Sequence, residues 1–260
     1  MLLVRESVGS TNSELVELAA GEPLPPFTAL VSDDQTAGRG RLDRVWTAPR
    51  GTALAVSVLV RTDAPTDRPI GTEGLGWLPL AAGVAMSDAV AAALPPGARV
   101  GIKWPNDVQV DGRKISGILS ELVPSSAASP GMAVVIGAGL NVTMSAEQLP
   151  VPTATSLRLA GASGDELFDR VLAAYLHSLV ALVTELVRSG GDADRSGLRA
   201  AAVERCRTIG REVRVDLPGT GELLGRAVGI DPLGRLEVRD SAGQVLAVAA
   251  GDIIHLRSDR

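Results

Sequence analysis

The sequence predicts an α+β protein: a mixed-sheet domain over residues 1–208, followed by a small β-barrel over 209–260. Three observations lead there. Branched apolar segments of strand length crowd the first 141 residues, with only two helical patterns among them. Helical periodicity then takes over from about 165 to 207. From Ile209 onward the texture changes to short alternating segments separated by Gly219, Gly234, Gly243 and Gly251. A β-rich stretch followed by helices argues against a doubly wound parallel sheet and for helices packed on one face of the strands. Short strands with glycine turns over about 50 residues read as a barrel.

Taken in order, Thr11-Asn12-Ser13-Glu14 has the form of a helix capping box, and Leu15, Val16 and Leu18 give that helix an apolar side until Gly21 and Pro23 stop it. Thr28 to Ser32 is a short strand, and a polar loop rich in Gly and Arg follows to about Gly51. Thr52 to Arg61 (TALAVSVLVR) has the composition of a buried strand. An Ala-rich helix is expected over about 77–93. Leu75 to Leu94 is apolar enough to raise a membrane-span question, but Pro79, Gly83, Ser87 and Asp88 interrupt it and favour a core helix. Strands follow at Arg99–Trp104, Val108–Val110, Lys114–Val123 and Met132–Leu140, with a turn at Pro105-Asn106-Asp107 and an Asp111-Gly112 hairpin. A loop at 124–130 precedes the last of them, and helices follow over about 165–188 and 195–207.

Composition narrows the function classes. The net charge of −5 supplies no general basic face, so neither DNA nor a membrane surface is an expected partner. The N-terminus lacks a basic region followed by an apolar stretch, which makes a cytoplasmic location the default. A single cysteine, Cys206, excludes a disulfide framework and reads as a small buried hydrophobe within the second C-terminal helix. His177 and His255 stand far apart and outside the informative stretches, so a histidine triad or a His-rich metal site has no support. Of 25 basic residues only Lys103 and Lys114 are lysines. A codon bias towards arginine explains the scarcity. It leaves open why a compact ammonium, which a guanidinium cannot imitate, stands at those two positions.

Two stretches carry the chemistry. In Gln35-Thr36-Ala37-Gly38-Arg39-Gly40-Arg41-Leu42-Asp43-Arg44-Val45-Trp46, two glycines allow close backbone approach and three arginines offer forks for phosphate or carboxylate. A solvated loop in an Arg-rich protein would have the same composition, and spacing does not separate the two. In Lys103-Trp104-Pro105-Asn106-Asp107, with Lys114 across the next hairpin, two ammonium groups, an amide and a carboxylate would meet if the lysines lie on neighbouring strands. Such a cluster can offset phosphate charge and accept a proton from an amine. A salt-bridged hairpin would account for Asp107 but not for both lysines. Gly137-Ala138-Gly139-Leu140-Asn141 is too short for a dinucleotide fingerprint, and no P-loop is present.

Taken together, these stretches resemble the biotin protein ligase family, in the order Ser10-Thr11-Asn12, Gln35 with Gly38 to Arg41 and Trp46, Lys103 to Asp107, Gly112 to Leu119, and Gly137 to Asn141. The resemblance covers nearly the whole chain and implies a biotin/lipoate ligase type of mixed-sheet catalytic domain with an SH3-like C-terminal barrel. It implies activation of biotin with ATP and Mg2+ to biotinyl-5′-AMP, then transfer to a lysine of a biotin carboxyl carrier protein. Under it Ser10, Thr11, Asn12, Gln35, Gly38, Arg39, Gly40, Arg41, Trp46, Gly117 and Lys114 belong to the biotin and adenylate site. Lys103 and Asn106 would lie beside the phosphates and Asn141 near the adenine, while Asp107 would orient or deprotonate the carrier lysine. Magnesium would come with ATP, with no protein ligand set of its own.

Two departures matter. Asp43 stands where the family loop commonly has a glycine, and only nine residues precede Ser10, which leaves no room there for the winged-helix DNA-binding domain some members carry. A lipoate ligase and a biotin-sensing scaffold that consumes no ATP are the competing readings. Oligomeric state, whether monomer or weak homodimer, is not legible.

Overall fold

The computed structural model describes residues 1–62, 70–125, 132–217, 221–249 and 252–255. The expected turns at Gly219 and Gly251 and most of the 124–130 loop lie outside them. The main sheet has seven strands in the order β1(Leu2–Val4), β2(Ala29–Ser32), β3(Ala53–Arg61), β7(Ala133–Asn141), β6(Arg113–Val123), β5(Asp107–Val110), β4(Val100–Lys103). Only β1 and β2 pair in parallel, so the sheet is mixed. Its helices are α1(Thr11–Gly21), α2(Trp77–Ala93), α3(Leu167–Arg188) and α4(Leu198–Arg205). A second sheet of five antiparallel strands follows: β8(Glu212–Leu217), β9(Gly221–Ile230), β10(Leu236–Arg239), β11(Val245–Val248) and β12(Asp252–His255).

The expectation that the helices cover one face of the strands is corrected. Leu54, Val56, Val58 and Val60 of β3, with Val134, Ile136 and Ala138 of β7, pack in the core that holds α2 and α3. Leu59 and Val135 point the other way, into a second core with Leu15 and Ala19 of α1. Period-2 alternation explains the split: β3 is apolar at both parities, so both of its faces must be covered. The helical segment Thr72–Ala93, which ends in α2, is long and apolar enough to cross a membrane, yet α2 is largely buried in the protein core and packs on α3, α4 and the sheet. Its Gly83 lets Ile102 approach, since a Cβ there would sit 3.3 Å from the Ile102 side chain.

The α1 face explains where the functional hollow lies. Along it β3, β7 and β6 stand in register as Leu59–Val135–Glu121, then Ser57–Gly137–Leu119, then Ala55–Gly139–Gly117. Leu15 and Ala19 rest on the bulky end. Towards Gly139 the side chains shrink to hydrogen atoms and a methyl group, and α1 begins over Gly137. The sheet is therefore uncovered beyond the N-terminus of α1.

The C-terminal sheet is fastened to the strand that bears Lys103. Arg207 N–H donates to Ile102 O (2.8 Å), and Cys206, just past the end of α4 rather than inside it, bridges to Ile102. Burial raises the Cys206 thiol pKa, which agrees with a structural role. Two buried indoles, Trp77 and Trp104, donate to Pro232 O (2.8 Å) and Gly234 O (3.0 Å) in the β9–β10 turn. Asp231 organises that turn by accepting from Leu233 N–H, Arg235 N–H and the Arg235 guanidinium.

Candidate active site

A cavity of about 350 Å3 occupies the uncovered stretch of sheet. Ala55, Gly137, Gly139 and Gly117 form its floor, and the start of α1 with Gln35 forms one end. The loop through Arg39–Trp46 roofs it, and Lys103–Asp107 with Lys114 close the other end.

The α1 end is neutral and tightly bonded. Gln35 Oε1 accepts from Thr11 N–H (2.9 Å) and lies 3.1 Å from Thr11 Oγ1. Ser57 Oγ donates to Asn12 Oδ1 (2.6 Å) and lies 2.8 Å from Thr11 Oγ1. Asn12 Nδ2 donates to Leu119 O (3.1 Å) and Glu121 Oε2 (2.9 Å). The cap of α1 is Ser10, one residue earlier than the sequence pattern indicates. Thr11 instead spends its hydroxyl among Gln35 and Ser57, so its side chain belongs to the cavity wall and not to the cap.

The Arg-rich loop is folded as a small hairpin. Gly40 N–H donates to Arg44 O (2.7 Å) and Trp46 N–H to Gly38 O (2.9 Å), with Arg39 bridging Val45. Leu42 (φ 54°) and Asp43 (φ 57°) form its left-handed two-residue turn. Asp43, the departure from the family glycine, is thus in a conformation that Asp tolerates better than most side chains. Gly38 is not in the cavity wall. It is required because a Cβ there would run into Trp46 O. Arg39 reaches Glu121 Oε1 (2.8 Å) and Ser13 Oγ (3.2 Å), while Arg41 donates to Asn106 Oδ1 (2.8 Å). The roof is pinned to both sides. The Trp46 ring lies on Gly139 and Gly117, where added Cβ atoms would fall 2.5 and 3.4 Å from it.

At the cationic end Lys114 Nζ pairs with Asp107 Oδ1 at 2.6 Å. Lys103 and Lys114 are not on neighbouring strands, because β5 runs between β4 and β6. They still line one cavity with Asn106, Asp107, Arg41 and Arg44: Lys103 pairs with Asp107 across β4 and β5, and the Lys114 ammonium reaches Asp107 from its place opposite Gln109. Asn141 stands apart. It is buried, donates to Thr155 O (2.9 Å), and does not line the cavity. Sequence reasoning missed Ser57 and Glu121. Each is a polar residue within a largely apolar strand whose parity points it to the α1 face, and that parity was the available signal.

The family model for the biotin/lipoate A/B protein ligase family matches residues 6–141, more than half of the chain, and that for the biotin protein ligase C terminal domain matches 208–256. The chain belongs to the biotin/lipoate ligase family. A biotin–[acetyl-CoA-carboxylase] ligase of Mycobacterium tuberculosis is 41% identical over 251 residues, covering 96% of this chain and 86% of the relative. One from Paracoccus denitrificans is 34% identical, covering 93% and 95%. A solved biotin protein ligase from Aquifex aeolicus, in complex with biotin and ATP, superposes with a TM-score of 0.75 at 27% identity and 99% coverage of both chains. For a biotin/lipoate ligase the cavity's two ends have distinct chemistry. The α1 end offers short, oriented hydrogen-bonding groups beside an apolar floor. The opposite end gathers cations where a carboxylate and phosphates would otherwise repel one another.

Proposed function

We infer that this chain is a biotin protein ligase that adenylates biotin and transfers the biotinyl group to a lysine of a carboxylase carrier protein. The observation that carries this is the single cavity with a neutral, hydrogen-bonding end, a glycine floor and a cationic end. Biotin has the matching parts in the same order: a polar ureido ring, an apolar thioether and chain, and a carboxylate. The close relatives named as biotin ligases support the same substrate.

In the first step a biotin carboxylate oxygen bonds to the α-phosphorus of ATP and pyrophosphate leaves. Lys114, held by Asp107, and Lys103 offset the charge that gathers between carboxylate and phosphates. Arg39, Gly40 and Arg41, with Trp46, keep the loop over the mixed anhydride and exclude water. Asn106 fixes Arg41, and Ser10, Thr11, Asn12 and Gln35 hold the ureido end. Magnesium would come with ATP and, beside Lys103 and Lys114, would supply Lewis-acid shielding of the phosphates. In the second step the carrier amine bonds to the acyl carbon, the acyl–oxygen bond breaks, AMP leaves, and Asp107 orients the amine and receives its proton. Asn141, bonded to Thr155, acts behind the nucleotide by holding that segment. A cytoplasmic location goes with this reading. ATP–pyrophosphate exchange with biotin and with lipoate as alternative acids tests the reading. Exchange with biotin alone is expected, and exchange with lipoate alone would reassign the substrate.

A further inference from the structure

We propose that Thr208 and His255 are positioning residues for the first half-reaction, through which the C-terminal sheet sets the direction of Lys103. The inference rests on the ligase reading above and assigns a task to the C-terminal sheet. Thr208 is completely buried, and its Oγ1 accepts from the backbone N–H of Trp104 at 3.0 Å. That N–H belongs to the peptide unit joining Trp104 to Lys103, so the hydroxyl fixes the plane from which the Lys103 side chain departs. The same oxygen lies 3.1 Å from His255 Nε2 on β12. A neutral ring bonds there in either tautomer, as donor to the hydroxyl's second lone pair or as acceptor of its hydrogen. The surroundings favour that form. Burial and the nearby cations Lys103 and Arg211 all oppose a charge on the ring, and its pKa is lowered to about 4.

The Trp104 indole, bonded to Gly234 O, supplies a second fixed point. Trp104 is therefore held through its backbone by Thr208 and through its ring by the β9–β10 turn. Lys103 alone of the pair of lysines has no carboxylate within 4 Å among the described residues, since Asp107 is taken by Lys114. Nothing within the cavity wall aims Lys103 at a phosphate. The backbone to which it is attached must do so, and Thr208 and His255 hold that backbone from behind.

The test compares the full chain with Thr208→Val, Thr208→Ser, His255→Phe and His255→Gln. Adenylation is followed by pyrophosphate exchange, biotin affinity by calorimetry, and protection of the 102–108 segment by hydrogen exchange. Thr208→Val keeps the shape but takes the hydroxyl acceptor from the Trp104 N–H, and His255→Phe removes the hydrogen-bond partner behind it. Each is expected to lower kcat for adenylation about ten-fold with biotin affinity within about two-fold of the parent, and to deprotect the segment. Thr208→Ser and His255→Gln, which retain a hydroxyl and an acceptor, should recover most of the rate. The proposal is overturned if Thr208→Val adenylates as the parent does. It is equally overturned if biotin affinity falls in step with rate, or if Thr208→Ser is no better than Thr208→Val. A parent that adenylates no acid would strike instead at the ligase assignment, and the hydrogen-exchange comparison would still decide whether Thr208 holds the segment.

Discussion

Removing the Glu121 carboxylate should loosen the roof and the neutral end of the cavity together, because this one side chain is bonded to both. Its Oε1 lies 2.8 Å from Arg39 Nη1 and its Oε2 accepts from Asn12 Nδ2 at 2.9 Å. The Arg39 side chain is half exposed (51%), so screening limits that ion pair to about 0.5–1 kcal/mol. Asn12 is buried at 4% exposure, and stranding one of its amide hydrogens costs about 1–3 kcal/mol. Glu121→Ala should therefore destabilise the fold by about 2–3 kcal/mol and weaken biotin binding by about ten-fold or more. Glu121→Gln keeps an acceptor for Asn12 and loses the ion pair, so it should cost no more than about 1 kcal/mol and only a few-fold in affinity. Urea melts give the first quantity and calorimetric biotin titration the second, with an Arg39→Gln double-mutant cycle isolating the ion pair. Equal losses in Glu121→Ala and Glu121→Gln would refute the reasoning, since the account assigns most of the effect to the Asn12 bond.

Other consequences are direct. Gly139→Ala places a methyl carbon 2.5 Å from the Trp46 ring, so the ring must leave the floor. A shift in tryptophan emission and a weaker hold on biotin are expected, with no change in emission as the contrary result. Among the described residues the buried Tyr175 hydroxyl has no hydrogen-bond partner, and burial raises its pKa. Tyr175→Phe should therefore be neutral or stabilise by up to about 1 kcal/mol in urea melts while leaving adenylation unchanged; a clear loss of stability would show a missed partner. The pH dependence follows from two groups of the C-terminal sheet. His255 is lowered to about 4, so between pH 6.5 and 4 the unfolded chain binds a proton that the folded chain does not, and stability falls as pH falls. At Asp231 burial raises the carboxyl, but Arg235 and two backbone N–H groups outweigh it and lower the pKa below 3.8, which adds a further loss at still lower pH. Thermal melts of His255→Gln should show a flatter profile between pH 6.5 and 4 than the parent, and superimposable profiles would refute the assignment.

Much of this was legible before the structure. The Ala-rich helix falls at Trp77–Ala93 as its pattern indicates, and Asp111-Gly112 (φ 50° and 81°) turns the hairpin that its dipeptide predicts. Cavity-lining residues came from motifs because backbone approach needs glycine and phosphate needs cations, which leave marks in composition. What the sequence hid depends on pairing between distant segments. β1 is a three-residue strand whose partner lies 27 residues on, too short for any period to show. Ser57 and Glu121 acquire meaning only once β3, β7 and β6 are in register. His255 is distant along the chain from the other chemistry, yet β12 brings it to Thr208 and near Lys103. Asn141 went the other way: its motif drew attention, but its amide is spent on Thr155.

The central claim is tested most directly by biotin- and ATP-dependent labelling of a biotin carboxyl carrier domain, with Lys114→Ala beside the parent. The account predicts that the parent labels the carrier and that Lys114→Ala, folded to the same melting temperature within a few degrees, falls by at least about 100-fold. A folded parent that binds biotin yet forms neither adenylate nor labelled carrier would contradict it and leave a biotin-sensing protein in its place.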